Sequence, residues 1–156
     1  MHILMDADCL IKLTKAGLKE LVCTNDVVAI PMAVMREAVD EGKARGFTDA
    51  AIIEQNLDAG RLRTVDGATE DPRGDEALVA TFRAGGHDVV ASDDSRLLRR
   101  MRALRIPCVV PGLLVYRLFA RSTLDRTQAI SALAALSPFV SAEQSSTVRL
   151  LLEVNP

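Results

Sequence analysis

The chain has no tryptophan, one tyrosine and four phenylalanines in 156 residues, which argues against binding nucleic acid by stacking bases on aromatic rings. Histidine occurs only at His2 and His87. That count leaves no room for a multi-histidine metal centre, and neither residue has a nucleophile motif such as G-x-S-x-G nearby to complete a hydrolytic triad. Three cysteines, Cys9, Cys23 and Cys108, are odd in number, widely spaced and free of any C-x-x-C pair. Neither a disulfide framework nor a zinc site is suggested, and reduced thiols packed as small hydrophobes are expected. No apolar run approaches the ~20 residues of a membrane span. The start MHILMDADCL lacks a basic segment and reaches an acid at its sixth position, which argues against a signal peptide. A cytoplasmic protein without membrane association is therefore expected. The net charge of −2 does not favour polyanion binding through bulk electrostatics.

What is present is an alternation. Short apolar runs at 2–5, 27–30, 62–65, 88–91 and 106–110 read as strands bounded by turn or acidic residues. Between them lie helical patterns at 8–23, broken at Gly17; at 32–43, opened by Pro31; at 49–59, from Thr48 to Gly60; at 74–84, closed by Gly85-Gly86; and at 94–105, stopped before Pro107. A βαβα order with buried strands predicts an α/β fold of three layers, with a central parallel sheet of about five strands covered on both faces. After Pro111 the pattern is wholly helical at 112–120, 124–136 and 141–153, with breaks at Ser122-Thr123 and Ser137-Pro138. The length and the absence of a linker predict one domain over 1–156, with residues 111–156 as a C-terminal helical extension.

In such a sheet the functional crevice lies outside the carboxyl ends of the strands, and acids gather there. Asp6 and Asp8 follow the first strand, Glu37 lies two turns into the helix after the second, Asp75 and Glu76 open the helix before the fourth, and Asp93 and Asp94 follow the fourth. Each has a plain structural explanation. Asp8 or Asp94 can cap a helix, Asp75 and Glu76 suit a first helical turn, and Glu37 can face solvent. Together they weigh differently, because two like charges ~4 Å apart at an effective dielectric of ~20 repel by about 4 kcal/mol, comparable with a whole domain's stability. Convergence therefore demands protonation or a positive partner. A hard divalent cation, Mg²⁺ or Mn²⁺, suits a carboxylate set without His or Cys, and such ions activate water for phosphodiester hydrolysis.

The segments ILMDADCLIKL, IPMAVMREAV and GDEALVATFRAGGHDVVASDDSRLLRRMRALRI together resemble the PIN-domain family, whose members are mostly metal-dependent ribonucleases and include the toxins of VapBC-type pairs. The resemblance covers about residues 2–110. It implies the family's first Asp at Asp6, its small polar position at Asp8, the glutamate of P-x-x-V-x-x-E at Glu37, and a final acid in the Asp93-Asp94 pair, where Asp94 fits S/T-x-D after the strand. An acid opening the helix before the fourth strand falls on Asp75 or Glu76, which point about 100° apart. The implied roles are Asp6 and Asp94 as metal ligands, directly or through water, with Asp93 and Asp75 as further candidates. Glu37 and the Asp75/Glu76 acid would complete the cage and orient water, and Asp8 would support from behind. The implied partners are an RNA substrate, an antitoxin-like protein and a second copy paired through helices.

The helix at 94–105 places Arg96, Arg99 and Arg100 within roughly 100° of arc, opposite Leu97, Met101 and Leu104. Its position directly after Asp93-Asp94 suits guidance of phosphates, while an ordinary solvated face is the alternative. Two other functions compete. ILMDADCL also resembles the D-x-D start of haloacid-dehalogenase-like phosphatases, with Asp6 as nucleophile, although Leu10 stands where that family expects Thr or Val. A non-catalytic PIN-like module that binds RNA or protein is the other.

Overall fold

The structure is a computed structural model that describes residues 1–36, 62–65 and 74–154. Five strands, β1 (His2–Met5), β2 (Val27–Pro31), β3 (Arg63–Val65), β4 (Val89–Ala91) and β5 (Cys108–Val109), form one parallel sheet in the order β3-β2-β1-β4-β5. Successive residues Ile3, Leu4 and Met5 of β1 are all buried, as are Val89, Val90 and Ala91 of β4. A strand buried on both pleat faces needs helices above and below, so the three-layer α/β/α architecture follows from the apolar runs themselves.

The described helices are α1 (Ala7–Lys15), α2 (Lys19–Asn25), α3 (Met32–Arg36), α4 (Gly74–Ala84), α5 (Ser95–Ala103), α6 (Pro111–Ala120), α7 (Arg126–Leu136) and α8 (Ala142–Val154). Helix α4 packs on β1, β2, β4 and α3, and α1 packs on α2, α6 and α7. The extension joins the same apolar cluster as the sheet, through Leu114, Val115, Leu118, Leu133, Leu136, Val148 and Leu152. Among the described residues, no helix is long and apolar enough to cross a membrane. The expected helix at 49–59, the end of the expected helix at 32–43, and Glu37 all lie outside the described residues.

Local chemistry explains the boundaries. The expected break at Gly17 is a Schellman turn: Leu18 N–H donates to Leu13 O at 2.8 Å and Gly17 N–H to Thr14 O at 3.0 Å, with Gly17 at φ +70°. The same pair of bonds ends α5 and α6, but with Arg105 at φ +56° and Ser122 at φ +59° in the left-handed position. Strand β5 is shorter than the expected 106–110. Pro107 has no N–H to donate, and only its carbonyl joins the sheet, accepting from Val90 N–H at 3.0 Å.

Candidate active site

The strand order reverses direction between β1 and β4. From β1 the chain proceeds outward through β2 and β3, whereas β4 returns to the other side of β1 and leads to β5. Such a switch point opens a crevice at the carboxyl ends of the two strands. The register pairs Met5 with Ala91, so the next residues, Asp6 and Ser92, emerge side by side. The ladder runs one step further, with Asp6 N–H donating to Ala91 O at 3.0 Å.

Asp6 is the N-cap of α1. Its Oδ1 accepts from Cys9 N–H at 2.7 Å, and the Ser92 hydroxyl donates to its Oδ2. Asp8, one of the two residues expected as a cap, lies instead in the first helical turn, because the strand ends one residue before Asp6. Asp6 is only 6% exposed. Burial pushes its carboxyl up to about 7, against the downward pull of the Ser92 and Cys9 hydrogen bonds; the Asp8 charge adds to the rise, and Lys12 opposes it least. Near neutral pH this group is poised between its charged and neutral forms. The Cys9 thiol beneath it is buried, and burial pushes it well above its ordinary value, with the Asp6 charge adding to the rise. It is a packed, unreactive thiol.

Ser92 is fully buried and ties two acids together, since its Oγ also accepts from Asp94 N–H at 3.0 Å. Asp94 itself is exposed and caps α5, its Oδ1 accepting from Arg96 N–H at 2.6 Å and Leu97 N–H at 3.0 Å. The structural explanation for Asp94 as a cap is thus realised, while the Ser92 bridge keeps it beside Asp6. Asp93 turns the other way. The Lys12 ammonium stands between two carboxylates, 2.6 Å from Asp93 Oδ2 and 2.7 Å from Asp8 Oδ2. Although burial works against its charge, the hydrogen bonds to Asp8 and Asp93 carry Lys12 above the ordinary lysine value.

Ser92 thus links Asp6 to Asp94 and Lys12 links Asp8 to Asp93, two pairs that adjoin in the chain at Asp93-Asp94 and make up the acidic site. Asp75 and Glu76 are not joined to it. Both are exposed in the first turn of α4. Arg96, Arg99, Arg100 and Arg102 are exposed along α5, while Leu97 and Met101 are buried beneath. Among the described residues, no group of three or more His, Cys, Asp or Glu side chains is arranged to hold a metal ion.

Three participants are absent from a search for acids. Lys12 had a signal, its i,i+4 spacing from Asp8. Ser92 had one in the S-x-D pattern. Gln144, whose Nε2 donates to Asp93 Oδ1 at 2.6 Å, lies 51 residues from its partner and had none. No family model matches the chain, and no curated protein matches it either.

Proposed function

We propose that the chain is a PIN-like, cytoplasmic ribonuclease that hydrolyses RNA phosphodiester bonds at the Asp6 cluster with the help of Mg²⁺ or Mn²⁺. The observation that carries this reading is Asp6 itself. A carboxylate is kept 6% exposed at the carboxyl end of the central strand, held by two hydrogen bonds, and raised by burial to about 7. Such a group costs stability, and a site that tolerates the cost is a candidate for chemistry.

The donor chemistry fits a hard cation, because the side chains at the crevice offer carboxylate and hydroxyl oxygen rather than imidazole or an ionised thiol. Asp6 would hold the ion with Asp94; Asp93, its two oxygens taken by Lys12 and Gln144, would support from beside them, and the resemblance implies Glu37 and Asp75 or Glu76 as further candidates. Bound there, a divalent ion supplies water activation and neutralises charge on the phosphodiester. The protein's own residues do the rest. Ser92 fixes the Asp6 carboxyl and the backbone of Asp94 relative to each other, so the two acids keep one spacing. Lys12 holds Asp8 and Asp93 with their charges offset, which limits repulsion against a phosphate. The arginines of α5, directly after Asp94, draw the RNA backbone toward the acids. On this reading an antitoxin-like protein and a helix-paired second copy are the protein partners to seek.

The phosphatase reading draws less support. Leu10 stands where that family expects Thr or Val. The deciding assay follows cleavage of structured and single-stranded RNAs with Mg²⁺, Mn²⁺ or EDTA, by wild type, Asp6→Asn and Asp94→Asn. Cleavage lost in EDTA and in both variants is expected. Cleavage that persists in all three rejects the mechanism, p-nitrophenyl phosphate turnover abolished by Asp6→Asn favours the phosphatase, and RNA binding without cleavage favours the non-catalytic module.

A further inference from the structure

Gln144 lies in the first turn of α8, in the extension that the family resemblance leaves out. Its own N–H donates to Ser141 Oγ at 3.1 Å, which anchors the helix start. Both ends of its side chain are then used across the fold. Nε2 donates to Asp93 Oδ1 at 2.6 Å, and Oε1 accepts from Gly112 N–H at 2.8 Å. Those partners leave the amide one orientation, since a flip would set oxygen against carboxylate and NH₂ against N–H. Gly112 is what allows the approach. A Cβ there would stand 3.0 Å from Val148 Cγ2 and 3.1 Å from Gln144 Oε1, so a larger residue would push α8 and its glutamine away.

Asp93 is consequently gripped on both oxygens, Oδ1 by Gln144 from α8 and Oδ2 by Lys12 from α1. Either grip alone leaves the carboxylate free to rotate about its Cα–Cβ and Cβ–Cγ bonds, whereas two donors from different helices fix it. Lys12 in turn is held only as well as its two acceptors, Asp8 and Asp93. Asp8 is exposed and reaches Lys12 from the same helix, so Asp93 is the acceptor that ties Lys12 to the sheet. We propose that Gln144 is a positioning residue of the acidic site: by fixing Asp93 it pins the Lys12 ammonium between Asp8 and Asp93, which makes the C-terminal extension part of the site. Its effect on RNA cleavage rests on the ribonuclease reading; its effect on Lys12 does not.

The test is acylation of the intact chain with acetic anhydride, with labelling of Lys12 followed by peptide mass spectrometry relative to Lys15. In Gln144→Met, which keeps the length of the side chain and removes both hydrogen bonds, Lys12 labelling should rise about tenfold, the scale of one charge-assisted hydrogen bond. Val148→Ala loosens the seat of α8 without touching Asp93, so it should lower the melting temperature and leave Lys12 labelling within twofold. Adding Gln144→Met to Asp93→Asn should have no further effect, because two residues acting through one contact are not additive. With RNA as substrate, Gln144→Met should lower kcat about tenfold while KM changes less than twofold. Unchanged Lys12 labelling in Gln144→Met overturns the positioning role, as does an equal rise in Val148→Ala. Labelling that rises in a protein whose wild type cleaves no RNA overturns the ribonuclease reading and upholds the role of Gln144.

Discussion

Asp6 and Asp26 are both buried aspartates, 6% and 8% exposed, at opposite ends of the same parallel sheet. Asp26 precedes β2 and is surrounded by positive charge: the Met1 ammonium at 3.0 Å and Arg121 at 3.4 Å on Oδ1, and Arg117 at 2.6 Å on Oδ2. Asp6 follows β1 and, among the described residues, is held by the Cys9 N–H and the Ser92 hydroxyl alone. One carboxylate is over-supplied with cations and fastens α6 to the start of the chain; the other is under-supplied and costs the fold stability. Equal burial with opposite compensation is what singles out Asp6, and not Asp26, for the proposed chemistry.

Breaking the compensated end should cost most. Asp26→Ala strands an ammonium and two guanidinium groups around a site whose side chain is 2% exposed, so urea denaturation should show a loss of about 3–5 kcal/mol. The uncompensated end should respond with the opposite sign. Raising Asp6 from 3.8 to about 7 corresponds to at most about 4 kcal/mol of destabilisation once the group is ionised. Asp6→Asn should therefore be the more stable protein at pH 8 in EDTA, while losing RNA cleavage. The pH dependence follows from the direction of the shift. Because the folded state holds the Asp6 proton more tightly than the unfolded state, wild-type stability should fall as pH rises from about 4 to about 7 and level off above. The Asp6→Asn profile should lack that component, and a wild-type contribution that grows with pH in this window would contradict the assignment.

Two weaker perturbations sharpen the contrast from its edges. Gly112→Ala places a methyl against Val148 and Gln144 and should cost about 1–3 kcal/mol by overpacking, with Lys12 loosened as well. Arg99→Ala and Arg100→Ala on exposed α5 should change stability by less than about 0.5 kcal/mol. Each should weaken RNA binding and reduce the salt dependence of that binding by about one unit of slope. An unaltered slope would return these arginines to the solvated-face reading.

Much of this arrangement is legible in the chain before folding. The apolar runs locate every described strand, since a strand buried on both faces must be apolar throughout; β3 and β4 each start one residue later than expected, and β5 is trimmed at both ends, by Pro107 before it and by Val110, which caps α6, after it. Asp6 is legible as an acid where a core strand ends. Its capping role is less so, because whether Asp6 or Asp8 caps α1 depends on a one-residue choice of strand end. Glycine supplies the left-handed signature at Gly17 and at Gly85-Gly86, whereas the helix ends at Arg105 and Ser122 carry no such residue and are set by their neighbours. What sequence could not supply is the set of partners. Lys12 bridging Asp8 to Asp93, and Gln144 reaching Asp93 from the extension, are consequences of packing between elements far apart in the chain. An ammonium offsets the charges of Asp8 and Asp93, whereas the raised carboxyl at Asp6 comes chiefly from its burial and only secondarily from the Asp8 charge.

Asp6 is buried without a cation of its own among the described residues. Carbon-detected NMR titration of its carboxyl tests this most directly, in EDTA and again in excess Mg²⁺. A midpoint near 7 in EDTA that moves down when Mg²⁺ is added is the expected result. A midpoint near 3.8 in EDTA, unmoved by Mg²⁺, would contradict the account.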